Sequence, residues 1–87
     1  MNSFTGYLTR VQEIPTTTGI CSVTFMVGDQ HCKAFNDLAP MIDAYEGLEV
    51  EAGGLWRVLN DVPEFHVLSI KYHNAAGGVV TVVESLW

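Results

Sequence analysis

The stretch Ser22–Phe35, SVTFMVGDQHCKAF, decides the fold. Val23, Phe25 and Val27 alternate with Ser22, Thr24 and Met26, the period-two pattern of a strand buried on one side. Gly28-Asp29 interrupts the alternation, which then resumes. With these two residues at the centre of a type II′ turn, Gly28 supplies the positive φ that the first central position needs. The register follows: Val27 faces Gln30, Met26 faces His31, Phe25 faces Cys32, Thr24 faces Lys33, Val23 faces Ala34 and Ser22 faces Phe35. Val23, Phe25, Cys32 and Ala34 then share the inner face, and a slip of one residue would turn Val23 and Phe25 to water. The outer face carries Met26, His31, Lys33 and Phe35, and an aromatic, a cation and an imidazole together make it the candidate functional surface.

Working outward, Phe4, Gly6 and Leu8 alternate with Thr5, Tyr7 and Thr9, which predicts a first strand over residues 3–12. Gly6 inside it marks a bend or a close backbone approach. The run EIPTTTG, 13–19, reads as a loop. Downstream, Asn36 or Asp37 is placed to cap a short helix whose apolar face is Leu38, Ala39, Met41, Ile42 and Tyr45, with Pro40 in its first turn and Gly47 as its stop. Leu48–Gly54 alternates as a fourth strand with acidic Glu49 and Glu51 outward and a bulge or a sharp coil expected at Gly53-Gly54. Leu55–Leu59 is a candidate continuation, and Asn60–Pro63 reads as a turn. Phe65–Tyr72 is apolar on both faces and predicts a strand covered on each side. After the loop 73–78, Val79–Val83 is a short extra strand that must be paired, with strand one or with another subunit. The order is all-β with one short helix. It describes a single domain over residues 1–87: a five-stranded Greek-key barrel of the oligonucleotide/oligosaccharide-binding (OB) type, core 3–72, plus a C-terminal strand over 79–83.

With 87 residues there is room for one core and no second domain. A hydrophobic fraction of 48 % is high for so small a chain, and oligomerisation would cover the excess. No run approaches the ~18 apolar residues of a membrane helix, and MNSFTGYLTR lacks the basic start and apolar centre of a signal peptide, which points to the cytoplasm and away from the membrane. Cys21 and Cys32 fit no disulfide framework or zinc spacing; Cys32 reads as a buried strand residue and Cys21 lies opposite Asn36. His31, His66 and His73 have no carboxylate at a fixed spacing, so neither a metal site, a cofactor site nor an acid/base pair is expected, and with no nucleophile–base set or phosphate loop the chain does not read as an enzyme. The net charge of −6 disfavours a purely electrostatic nucleic-acid binder. All of it, however, falls between residues 37 and 64, and the segments 1–36 and 65–87 are neutral.

The chain resembles the bacterial single-stranded DNA-binding proteins and their small OB-fold relatives in primosome and plasmid replication. The resemblance rests on Gly6, Leu8 and Arg10 in strand one, Thr17–Gly19, Thr24-Phe25-x-Val27, Phe35-x-x-Leu38-Ala39, Tyr45-Glu46-Gly47-Leu48-Glu49-Val50, Gly54 and Phe65-x-Val67. It covers residues 3–72 in order, through the fold's own skeleton rather than one specific motif. It implies a single strand of DNA lying across strands two and three, with bases stacked on aromatics and the backbone tracked by cations. Carried over position by position, it implies contacts by Arg10, Met26, His31, Lys33 and Phe35, with Trp56 and Arg57 on the far part of strand four. The implied role is a non-catalytic accessory of replication, recombination or mobile-element maintenance, working as a homodimer or higher oligomer.

Each of these residues also has a plainer reading. Phe35 could be covered by the helix that follows it, His31 could be an ordinary solvent-facing residue, and Trp56 could belong to the core or to a dimer contact. The second-ranked function is a protein-interaction module without nucleic-acid binding, whose apolar strands and acidic Glu49/Glu51 face meet a basic replication or mobile-element protein.

Overall fold

The computed structural model describes residues 2–17, 19–74 and 76–83, with the backbone alone at Thr16, Ile20 and Cys21. The surroundings expected for the Cys21 side chain lie outside the described residues. Six strands, β1 (Asn2–Thr16), β2 (Gly19–Val27), β3 (Gln30–Phe35), β4 (Glu49–Leu59), β5 (Val62–His73) and β6 (Val79–Val83), form one sheet in the order β3-β2-β1-β4-β5-β6. A parallel pairing of β3 with β5 closes the first five into a ring. The core inside it is Leu8, Val23, Phe25, Val27, Cys32, Ala34, Val50, Ala52, Phe65, Val67 and Ile70.

The β2–β3 hairpin has the register its alternation predicts, from Ser22↔Phe35 to Val27↔Gln30. Gly28 has φ 58°, as the first position of the turn requires. A Cβ on Gly6 would stand 2.6 Å from the Gly28 nitrogen, so β1 presses its backbone against this turn, and the Gly28 N–H donates to the Tyr7 carbonyl at 3.1 Å. Close approach, rather than turn conformation, is what Gly6 provides.

β1 is longer than its alternation indicates. Glu13, Ile14, Pro15 and Thr16 pair with Val23, Ser22, Ile20 and Gly19, so most of 13–19 is strand rather than loop. Threonine and isoleucine favour extended backbone, and Pro15 sits at a register irregularity after Ile14, where a missing donor is tolerated. The alternation of β1 is broken by a bulge in which Arg10 and Val11 together oppose Phe25, with Arg10 at φ 56°.

The helix between β3 and β4 is a 3₁₀ helix, Ala39–Tyr45, with Pro40 in its first turn. Three residues per turn align Ala39, Ile42 and Tyr45 in one buried row and leave Met41 outside. Leu38, not Asn36 or Asp37, holds the N-cap position and makes no side-chain cap; Asn36 is instead in a left-handed turn, φ 52°.

The ladder is irregular at Gly53-Gly54, but the extra residue lies on β5 and not within β4 as expected, and this explains the apolar residues on both faces of β5. Gly53 pairs with Ser69 and Gly54 with Val67, so Leu68 is extra and the inward parity shifts from Phe65 and Val67 to Ile70. One face is buried twice over, in two registers; two covered faces are not needed. A Cβ on Gly54 would collide with the His66 carbonyl oxygen. Beyond Gly54, β4 runs on to Leu59 and pairs with β5 from Val62 to His66. The turn is Asn60-Asp61 alone, both at positive φ (51° and 65°), while Val62 and Pro63 belong to β5. β6 pairs with β5, from Ser69↔Val83 to His73↔Val79, rather than with β1. Among the described residues, no helix is long and apolar enough to cross a membrane.

Candidate nucleic-acid interface

The outer face of the β2–β3 hairpin is built of three cross-strand pairs: Met26 with His31, Thr24 with Lys33, and Ser22 with Phe35. His31 is exposed, Met26, Thr24, Lys33 and Phe35 are half-buried, and Ser22, expected outside, is buried. The Lys33 ammonium lies 5.4 Å from the centre of the Phe35 ring, within cation–π range. Phe35 also meets the His66 ring edge-on at 4.8 Å. Lys33 and His66 are register partners where β3 joins β5, which is what brings them together.

His66 Nε2 lies 3.1 Å from Glu64 Oε1, a hydrogen bond along one face of β5. That bond, with the positive charge of Lys33 nearby as a smaller contribution, holds the Glu64 carboxyl below its ordinary range. Glu64 and His66 thus join the candidate surface, and the expectation that His66 has no carboxylate at a fixed spacing is corrected: Glu64 stands two residues before it on the same face of β5. Their Glu-x-His spacing, which puts both on one face of a strand, was the available signal. Their approach to Lys33 depends on barrel closure, which no local pattern encodes.

The bulge turns Arg10 out of the β1 alternation and beside the same face. A cleft of about 190 Å³ is lined by Arg10, Gln12, Thr24, Phe25, Met26 and His31. Val11 N–H, freed by the bulge, donates to Glu46 Oε2 at 3.2 Å, so the residue after the 3₁₀ helix holds the bulge in place. On the other side of His31, β3 and β5 diverge around a second cleft of about 350 Å³, lined by Gln30, His31, Lys33, Val62, Pro63 and Glu64 among others. Arg10, Met26, His31, Lys33 and Phe35 therefore form one continuous strip with a cleft on each flank.

Trp56 does not join that strip. It faces Phe65 at 5.3 Å and Phe4 at 6.1 Å, closing the barrel beside the first residues of β1, and is 44 % exposed. Arg57, on β4, is the register partner of Glu64. Of the acidic residues, Glu64 stands on this surface beside His66 and Lys33, whereas Asp43 and Glu46 lie on and just after the 3₁₀ helix and Glu49 and Glu51 on β4, with Lys71 4.0 Å from Glu51. Within the β2–β3 hairpin the single carboxylate is Asp29, in the turn.

Cys32 is buried and its thiol lies 3.4 Å from the Gln30 carbonyl; burial pushes its pKa up to about 12. It is an inert core residue, not a nucleophile. No group of three or more His, Cys, Asp or Glu among the described residues is placed to hold a metal. Compared with models of known protein families, with curated proteins and with solved structures, the chain shows no significant match.

Proposed function

We propose that this chain is an OB-fold protein that binds single-stranded nucleic acid, DNA in the first instance, across the outer face of β2 and β3, without catalysis. The closed ring supports the fold reading, because β1 is shared between a β1-β2-β3 meander and the β4–β5 hairpin, with a parallel β3–β5 seam. The observation that carries the function is the strip itself. It sets a cation over an aromatic ring, flanked by Met26, His31 and Arg10, with Glu64 as the one carboxylate of the acidic segment that reaches it. Stacked bases would take the exposed parts of Phe35 and Met26, and phosphates would pass Lys33 and Arg10.

Three cations are available to such a path, Arg10, Lys33 and Arg57, since Lys71 is engaged with Glu51. At about −0.7 per neutralised phosphate on a single strand, log K against log salt should fall with a slope of about −2 at most. Fluorescence anisotropy of labelled oligo-dT at low salt tests the reading. Micromolar binding with that slope, lost about tenfold or more in Phe35→Ala, supports it; no binding at tens of micromolar protein, or binding indifferent to salt, overturns it. The alternative role, docking of a basic protein on the Glu49/Glu51 face, predicts capture that is lost in Glu49→Gln with Glu51→Gln.

A further inference from the structure

The β4–β5 hairpin beyond Gly54 stands out from the ring. Pairing of β1 with β4 stops at Asn2↔Gly54, so among the described residues the outer edge of Leu55–Leu59 has no neighbouring strand. The direction of its backbone groups follows from Pro63. Opposite Val58, Pro63 has no N–H to exchange, so Val58↔Pro63 is a non-hydrogen-bonded pair, and Val58 aims its N–H and C=O away from β5. Two residues back, Trp56 does the same. The edge therefore presents two donors and two acceptors to solvent.

The side chains around it are apolar: Val58 is 68 % exposed, and Leu55, Trp56, Leu59 and Val62 are each more than a third exposed. Native edges of this kind are usually blunted by a lysine, a proline or a bulge. Here the only charge on the edge is Arg57, and the bulge at Gly53/Gly54 comes before it.

We propose that this edge pairs antiparallel with the same edge of a second copy of the chain, giving a two-fold dimer joined through β4. An isologous contact needs a self-complementary surface, and a strand edge whose donors and acceptors recur every second residue is one. The charges select the register. Centred on Arg57, the pairing would set two guanidiniums opposite each other; centred on Val58, it sets Arg57 across from Leu59 and one diagonal step from Asp61 of the other copy. The two Val58 residues then exchange their outward N–H and C=O groups. The apolar surface available is at most roughly 450 Å² per copy, at the low end for specific interfaces, so the dimer is weak and concentration-dependent. The proposal does not depend on nucleic-acid binding.

Sedimentation velocity on the free protein tests it, together with amide hydrogen exchange. Between about 5 µM and about 500 µM the weight-average mass should climb from one chain towards two, and the Trp56 and Val58 amides should gain protection over the same range. Val58→Pro removes an outward donor without touching the β4–β5 ladder, and Leu59→Lys charges the edge. Both should weaken association at least tenfold while the far-UV spectrum and the melting temperature of the dilute protein stay as in the wild type. A wild-type mass of one chain throughout overturns the proposal. So does association with those two amides left unprotected, or protection of them that arises only when oligo-dT is added.

Discussion

Arg10 is a non-glycine residue held in left-handed backbone, φ 56°, at the bulge of β1. That conformation costs an L-residue about 1 kcal/mol, and such strain gathers at functional positions. Arg10→Gly should therefore stabilise the protein by at most about 0.5 kcal/mol in urea denaturation, net of the greater freedom of glycine in the unfolded chain, and weaken oligonucleotide binding several-fold. A variant that loses stability would show that the arginine side chain supports the fold instead. Gly54 is the opposite case, since a methyl group there would collide with the backbone of His66. Gly54→Ala should cost several kcal/mol, because neither strand can move without breaking the ladder.

Cys32 gives a pH dependence of definite sign. Its native pKa is raised, from 9.0 to about 12, so the unfolded chain gives up this proton first. The stability linked to Cys32 is full below about pH 9 and is lost as pH rises towards 12, by at most about 1.4 kcal/mol per pH unit. Burial raises Tyr45 as well, in the same sense. Denaturation curves between pH 8 and pH 11 should fall less steeply in Cys32→Ala than in the wild type; parallel curves would contradict the burial argument.

Among the elements, the β2–β3 hairpin was fully legible, because alternation and a Gly-Asp turn fix face and register together. The helix was legible as to place but not kind, since an α-helical face would bury Met41, whereas the 3₁₀ row passes through Ala39, Ile42 and Tyr45. The β1–β2 extension was hidden because Pro and Gly in EIPTTTG read as loop, although the chain only needed them at an irregularity and at its end. The parity shift at Leu68 was hidden for a related reason, as a bulge in β5 mimics a strand buried on both faces. The turn Asn60-Asp61 has both residues at positive φ, the type I′ pattern that favours Asn-Gly. Asp61→Gly should therefore stabilise the β4–β5 hairpin, by about 0.5 kcal/mol in chemical denaturation, net of the greater freedom of glycine in the unfolded chain.

At the scale of the molecule, the sequence named the strip on β2–β3 but scattered its outliers. Arg10 joins Met26 and His31 through a bulge, and Lys33 meets Glu64 and His66 only because β3 closes onto β5, a contact between segments some thirty residues apart. Trp56, named as a contact only through the family resemblance, lies apart from the strip, against Phe4 and Phe65. The segregation of charge, by contrast, could be read directly from residue positions, and it separates the two functional readings. Salt slopes count the cations that touch phosphate, whereas distant carboxylates act through a field that decays over about 10 Å at 0.1 M ionic strength. Lys33→Gln should therefore reduce the slope for oligo-dT by about 0.7. Glu49→Gln with Glu51→Gln should leave the slope unchanged, strengthening binding a little at low salt and not at all above about 0.15 M. If Lys33→Gln instead leaves affinity and slope untouched, the nucleic acid does not lie on β2–β3, and the strip of cation, ring and imidazole must serve another ligand.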